Sequence, residues 1–161
     1  VAAIIGDCIG LAATTALMCD ITVMSADARI GDSHVNKVGL VAGDGGTVIW
    51  PLLVGVNKAK EFLMRGTLLK GPEAERIGLV NHCVPAGEVL ARARAIAQEL
   101  ADGPAWAIRW TKLSINQIVK ERVNHLLEAS MALVQVTFET ADHKEATRAF
   151  KEKRKPKFGG A

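Results

Sequence analysis

An imidazole and a carboxylate stand ten residues apart in the most glycine-rich part of the chain: His34, in Gly31-Asp32-Ser33-His34, and Asp44, in Gly43-Asp44-Gly45-Gly46-Thr47. Either side chain can carry a proton to or from a reacting atom. The glycines around Asp44 expose backbone N–H groups and let a ligand come close, because no Cβ stands in the way. Val48-Ile49-Trp50-Pro51 follows directly, so the polar groups lie in an apolar neighbourhood. A carboxylate in a loop lining an apolar pocket can have a raised pKa and serve as an acid or base. The same residues also admit a structural reading, with Asp44 fixing the turn by hydrogen bonds to nearby N–H groups and His34 satisfying backbone groups in a loop.

The elements that must position these groups are legible from pattern. Val1–Ile5 is a β-branched run ending at Gly6 and reads as a buried strand. Gly10 to Cys19 is small and apolar, a buried helix entered through a glycine turn. Ile21–Met24 and Ala28–Ile30 read as strands, and residues 31–46 as loop. Thr47–Val54 reads as a helix that Pro51 must kink or place in an early turn. Asn57–Arg65 is amphipathic and ends at Gly66, a suitable C-cap. A short helix, Glu73–Arg76, begins at Pro72, and Leu79–Val84 reads as a strand ending at Pro85.

Beyond residue 85 the pattern is helical. Val89, Ala93, Ile96, Ala97 and Leu100 recur at helical spacing over 86–101. A second helix is expected from Ala105 to about Lys120. A third apolar stripe runs through Val123, Leu126, Leu127, Met131, Val134 and Phe138, and a basic helix from about Ala141 to Arg154. The chain therefore divides into an α/β part, 1–85, and a helical part, 86–161. The helices carry more apolar face than one small α/β layer covers, so some of it should meet another subunit or preceding chain.

Composition sets the outer limits. The 161 residues are 49 % apolar and 23 % charged, a globular balance that excludes a disordered chain. With no tyrosine and four phenylalanines, aliphatic side chains must fill the core. The apolar start is interrupted by Gly6-Asp7, Thr14-Thr15 and Asp20, whereas a membrane span needs about 20 uninterrupted apolar residues. No membrane partner is therefore expected. Cys8, Cys19 and Cys83 have no zinc-ligand spacing and read as small buried hydrophobes in a reducing compartment, so no metal and a cytoplasmic location are expected. The chain opens at Val1 inside an apolar run, with no Met or basic leader, and an N-terminal portion is expected to precede it. The basic tail from Lys144 attracts phosphates. It lacks aromatic interleaving, so nucleic acid is not the expected partner.

An ordered series of segments resembles the enoyl-CoA hydratase/isomerase (crotonase) family. It begins with Ala2-Ala3-Ile4-Ile5-Gly6, Gly10-Leu11-Ala12-Ala13 and Leu17-Met18-Cys19-Asp20-Ile21. Gly39 to Gly46 is similar to the family's G-x-x-P-G-x-G-G loop. Ala74-Glu75, Ile77-Gly78-Leu79-Val80-Asn81 and Val84-Pro85 follow in order. Glu145, Ala149-Phe150, Glu152-Lys153-Arg154 and Pro156 resemble the family's closing segment, so the similarity runs from Val1 to about Phe158.

The resemblance implies a crotonase-like β-β-α spiral, of which this is the C-terminal part, followed by a helical trimerisation region. It implies acyl-CoA thioesters as substrates, no separate cofactor, and a homo-oligomer, trimer or hexamer. Backbone N–H groups would hold the thioester oxygen as it becomes an enolate. Of these, the donor carried by this chain falls at Leu11, beside Gly10, in a position that plain helix-start packing also explains. Gly10 and Gly43 would line the substrate, and Phe150 and Lys153 would lie near the CoA nucleotide. The family's first acid/base glutamate falls on Thr14, which cannot act as a base near neutral pH. The second falls on His34 counted forward from Gly31, and on Val35 counted back from Gly39. The implied activity is hydratase/isomerase-like, with conventional two-glutamate hydration unsupported. A hydrolase or dehalogenase using His34 and Asp44, or an inactive acyl-CoA-binding chain, is the alternative.

Overall fold

In the computed structural model, which describes residues 1–160, short strands and helices alternate over the first half and long helices make up the second. The first strands are β1, Ala2–Ile4, and β2, Cys8–Ile9, followed by helix α1, Leu11–Leu17. Strands β3, Thr22–Ser25, and β4, Arg29–Gly31, lead into one turn of π-helix over His34–Val38. Helices α2, Gly46–Val54, and α3, Val56–Arg65, precede strand β5, Leu68–Lys70, helix α4, Gly71–Arg76, and strand β6, His82–Val84. After a single 3-10 turn come α5, Val89–Asp102, α6, Ala105–Phe138, and α7, Ala141–Lys151.

The strands form two small sheets. One has the order β1-β3-β6 and is wholly parallel, with Val23 opposite both Ala3 and His82. The other has the order β2-β4-β5, in which β2 runs parallel and β5 antiparallel to β4. All four residues of β3 are buried, as expected of a parallel strand covered on both faces. Met24 faces the main core with Ile30, Trp50, Leu63 and Leu79. Val23 faces the other way, against Val89, Ala93 and Ile96 of α5. Burying such side chains stabilises the fold by about 1.5–3 kcal/mol each.

Three departures from the sequence pattern have physical causes. The helix expected to end near Lys120 continues to Phe138 as one 34-residue element, because nothing between Ala105 and Phe138 is glycine or proline. The segment Leu79–Val84 is strand only from His82, because the N–H groups of Leu79 and Val80 are spent on the Ala74 carbonyl that closes α4. The stretch expected to be loop contains the π-helical turn and the end of β4. Pro51 lies inside α2, five residues after its first residue, and the helix passes through it.

Seven large apolar residues along α6, Trp106, Trp110, Leu113, Ile115, Ile118, Leu133 and Val136, are each more than half exposed. The excess apolar face expected from the helical half is therefore concentrated on this element. No described helix is long and apolar enough to cross a membrane. All three cysteines are free thiols, and only Cys8 is fully buried.

Candidate active site

The site forms where the end of β4 passes the start of α1. The Gly10 N–H donates to the Gly31 carbonyl at 2.9 Å, which brings the α1 entrance beside the segment carrying His34. Gly10 has φ 62°, a conformation that strains any other residue, and a Cβ there would stand 3.1 Å from Cε1 of His34. The imidazole thus lies against the glycine turn that opens α1. Leu11 is the first helical residue, so its N–H has no acceptor within the helix, and its side chain is 61 % exposed.

His34 is held by Asp32. The same carboxylate oxygen, Oδ1, accepts from the His34 backbone N–H at 2.9 Å and meets the ring Nδ1 at 2.8 Å. Asp32 is only 1 % exposed, whereas a quarter of the His34 side chain is open. The other ring nitrogen, Nε2, is 3.9 Å from Oδ2 of Asp44, close enough for strong attraction but too far for a hydrogen bond. The hydrogen bond to Asp32 holds the His34 pKa above its ordinary value; burial opposes this, and the charges of Asp32 and Asp44 reinforce it. An imidazole between two carboxylates can accept a proton and keep it as a stabilised cation.

Two further buried oxygens point up the polarity of the site. Asp44 Oδ1 and Thr14 Oγ1 have no hydrogen-bond partner among the described residues. Thr14 is buried on α1, and its Cγ2 is 2.6 Å from where a Cβ at Gly45 would stand, so it abuts the glycine loop. Thr14, where the resemblance puts the first glutamate, therefore carries a buried hydroxyl, and His34, one of the two positions it gives for the second, an imidazole.

The glycine loop is fixed from the far half of the chain. Ser130 on α6 donates its hydroxyl to the Gly43 carbonyl at 3.0 Å, and its Oγ is 2.8 Å from that of Thr47. A Cβ at Gly43 would lie 2.5 Å from Val134 Cγ2 and 2.7 Å from the Ser130 carbonyl. The loop needs glycine at this point because α6 packs directly on its backbone. Two more bonds support the same region: the Val41 N–H donates to Thr137 Oγ1, and Nδ1 of His143 is 2.9 Å from the Val38 carbonyl.

His34 and Asp44 therefore come together, with Gly10 and Leu11 adjoining and Gly43 securing the loop behind Asp44. Phe150 and Lys153 do not join them by any bond to this cluster. Phe150 is 83 % exposed on α7, and Lys153 follows that helix with φ 52°. Within the basic tail, Arg154 is spent on Glu145 and Glu152. Asp7 and Asp20 are tied to Arg29 and Lys112, which accords with structural roles.

Asp32 is the residue that sequence reasoning missed. The signal was present as Asp-x-His, in which a carboxylate two residues ahead can cap the histidine N–H, but the pattern is common in turns that do no chemistry. One oxygen or nitrogen from each of Asp32, His34 and Asp44 lies within 4.8 Å of the others. Because Nδ1 is occupied by Asp32, a cation at the outer face would have only Nε2 and Asp44 as ligands. That is fewer than the three protein ligands of a usual catalytic metal site.

The paired three-stranded sheets, the chain order and the long closing helices define the crotonase class of α/β folds. The crystal structure of an enoyl-CoA hydratase/isomerase from Pseudoalteromonas atlantica is similar over 96 % of this chain and 62 % of its own, with TM-score 0.88 and 29 % identity. That of carnitinyl-CoA hydratase from Mycobacterium avium covers 97 % of this chain and 60 % of its own, with TM-score 0.87 and 27 % identity. A putative enoyl-CoA hydratase of Thermus thermophilus is 39 % identical over 161 residues, 98 % of this chain and 62 % of the relative. The short-chain-enoyl-CoA hydratase of Clostridium acetobutylicum is 34 % identical over 155 residues, 96 % of this chain and 59 % of the relative. The enoyl-CoA hydratase/isomerase family profile matches residues 1–161, and the chain belongs to that family. It spans about three-fifths of the length of the curated relatives it matches.

Proposed function

We propose that the protein processes acyl-CoA thioesters in the manner of an enoyl-CoA hydratase/isomerase, with His34 and Asp44 as its proton-transfer groups. The observation that carries this reading is the imidazole Nε2 set 3.9 Å from the Asp44 carboxylate, beside the glycine turn at Gly10. In this reading the thioester oxygen accepts from the Leu11 N–H, the first backbone donor of α1. Charge that moves onto that oxygen as an α-proton leaves is stabilised there, and a backbone donor keeps this role whatever its side chain. Nε2 takes the proton, and Asp44 stabilises the resulting imidazolium.

Thr14 bears on the subtype. A buried hydroxyl at the position of the family's first glutamate supplies no second carboxylate to hold and activate water. This favours proton shuttling or hydrolysis over hydration by a glutamate pair, and a hydrolase or dehalogenase is the second reading. The substrate is itself the CoA thioester, so no separate cofactor is invoked. The exposed apolar face of α6 supports a homo-oligomer.

The test is an assay with crotonyl-CoA, saturated acyl-CoA and halogenated acyl-CoA, together with the thermal shift caused by CoA. Turnover of an enoyl thioester supports the first reading, and release of free CoA or halide supports the second. No turnover and no CoA-dependent shift refutes both.

A further inference from the structure

We infer that Asp32 is a positioning residue: it fixes His34 in the tautomer that carries its proton on Nδ1, so that Nε2 is the atom presented to the substrate in front of Asp44. The inference rests on the proposed role of His34 and adds to it the group that sets which nitrogen reacts.

Neutral imidazole has one donor nitrogen and one acceptor nitrogen, and the neighbour of one decides the state of both. Oδ1 of Asp32 is an acceptor, and at 2.8 Å it tolerates Nδ1 only as a donor. The lone pair is thereby confined to Nε2, on the side of the partly exposed Asp44. The backbone bond from His34 N–H to the same oxygen locks the carboxylate to the segment that carries the ring, so the two move together.

Asp32 has no other partner to account for its burial. Its second oxygen, Oδ2, makes no hydrogen bond among the described residues, and no arginine or lysine there pairs with it. A Cβ at Gly46 would stand 3.2 Å from that oxygen, so α2 begins directly against the carboxylate and holds it in place. Burying a carboxylate is costly unless hydrogen bonds offset the loss of water. Here both of its hydrogen bonds go to His34, one to the backbone and one to the ring. A turn alone would use only the backbone bond.

In the step that follows, the bond between the substrate α-carbon and its hydrogen breaks. The proton joins Nε2, and the electron pair passes through the α-carbon to the thioester oxygen. The ring becomes imidazolium with N–H at both nitrogens, and the Asp32 carboxylate, hydrogen-bonded to Nδ1–H, stabilises it, as an orienting carboxylate does in a Ser-His-Asp triad. Asp32 and Asp44 are the charged groups that act on the ring; Gly10, against Cε1, brings none.

The experiment compares the full chain with Asp32→Asn by ¹⁵N NMR of the His34 ring, by pH–rate profile, and by kcat and KM separately. In the wild type the neutral ring should show its proton on Nδ1. In the variant the His34 titration should move to lower pH, the tautomers should mix, and kcat should fall about 10²-fold with KM little changed, the scale of a misplaced reacting group. Wild-type kcat and an unmoved His34 titration in a folded Asp32→Asn overturn the inference. Should that variant fail to fold, the wild-type spectrum alone decides, because a neutral ring protonated on Nε2 contradicts the proposal. His34→Gln separates the two levels. Full activity in that variant refutes the role of His34 itself, whereas its inactivity beside a wild-type-like Asp32→Asn refutes only the role of Asp32.

Discussion

The hydroxyl of Ser130 donates to the carbonyl of Gly43 at 3.0 Å, which ties the C-terminal third of the longest helix to the loop that carries Asp44. Two elements that are remote in sequence thus share the placement of one carboxylate. Ser130→Ala should remove the bonds to Gly43 and Thr47 and cost about 1–2 kcal/mol, since a buried acceptor loses its donor. Gly43→Ala should cost about 1–3 kcal/mol, because its Cβ would meet Val134 and the Ser130 carbonyl. Thermal unfolding measures both, and a Gly43→Ala protein as stable as wild type would contradict the packing described.

His34→Ala and Asp44→Ala should each lower kcat at least ten-fold, the lower range for removal of a general acid or base. Because His34 must be neutral to accept a proton and its pKa is raised, activity should fall as the pH drops through a midpoint above the ordinary value near 6.5. Unchanged rates in both variants would leave these residues as loop scaffolding.

Leu11→Pro isolates the backbone donor. Proline suits the first position of a helix, where its missing N–H breaks no helical bond. The fold should therefore persist, as circular dichroism would show, while kcat falls about 10²–10³-fold, as when an oxyanion donor is removed. Retained activity in the folded variant would move the thioester oxygen elsewhere.

Glu145 supplies a test of stability in acid. The Arg154 guanidinium and the Lys157 N–H hold its carboxyl down at about 2. A lowered folded-state pKa contributes stability that is present above the unfolded value near 4.5 and is lost as pH falls toward 2. The difference in melting temperature between wild type and Glu145→Gln should therefore be largest above pH 4.5 and close on acidification. A constant difference would mean that the charge of Glu145 contributes nothing.

Most of the elements around the site could be read from the chain, because the physics that sets them is local. The β-branched run before Gly6, the small-residue helix after Gly10 and the capped amphipathic helix ending at Gly66 each announce their own type. His34 and Asp44 were legible as chemical residues, and their order in the family pattern located them relative to the glycines. Their approach was not legible, because it depends on the Gly10–Gly31 bond between α1 and β4. The π-helical turn from His34 to Val38 accommodates the segment whose one-residue surplus made the count from Gly39 reach Val35. Asp32 is not legible as a site residue, because its contact with the ring exists only in the folded turn. The continuity of α6 across Lys120 is not legible from the apolar stripe, which changes there although no residue ends the helix.

The three bonds that α6 and α7 make to the site loop, at Gly43, Val41 and Val38, span 87, 96 and 105 residues of sequence. Such contacts close large loops and come late in folding, because their entropy cost must be met before they form. During synthesis His34 and Asp44 leave the ribosome well ahead of Ser130, Thr137 and His143. In that interval the loop can meet α1, through Thr14 at Gly45, and the end of α3, through Asn36 and the Arg65 and Gly66 carbonyls, but the bonds from Ser130, Thr137 and His143 come last. The final setting of the loop that carries Asp44 is thus timed by residues from the last third of the sequence.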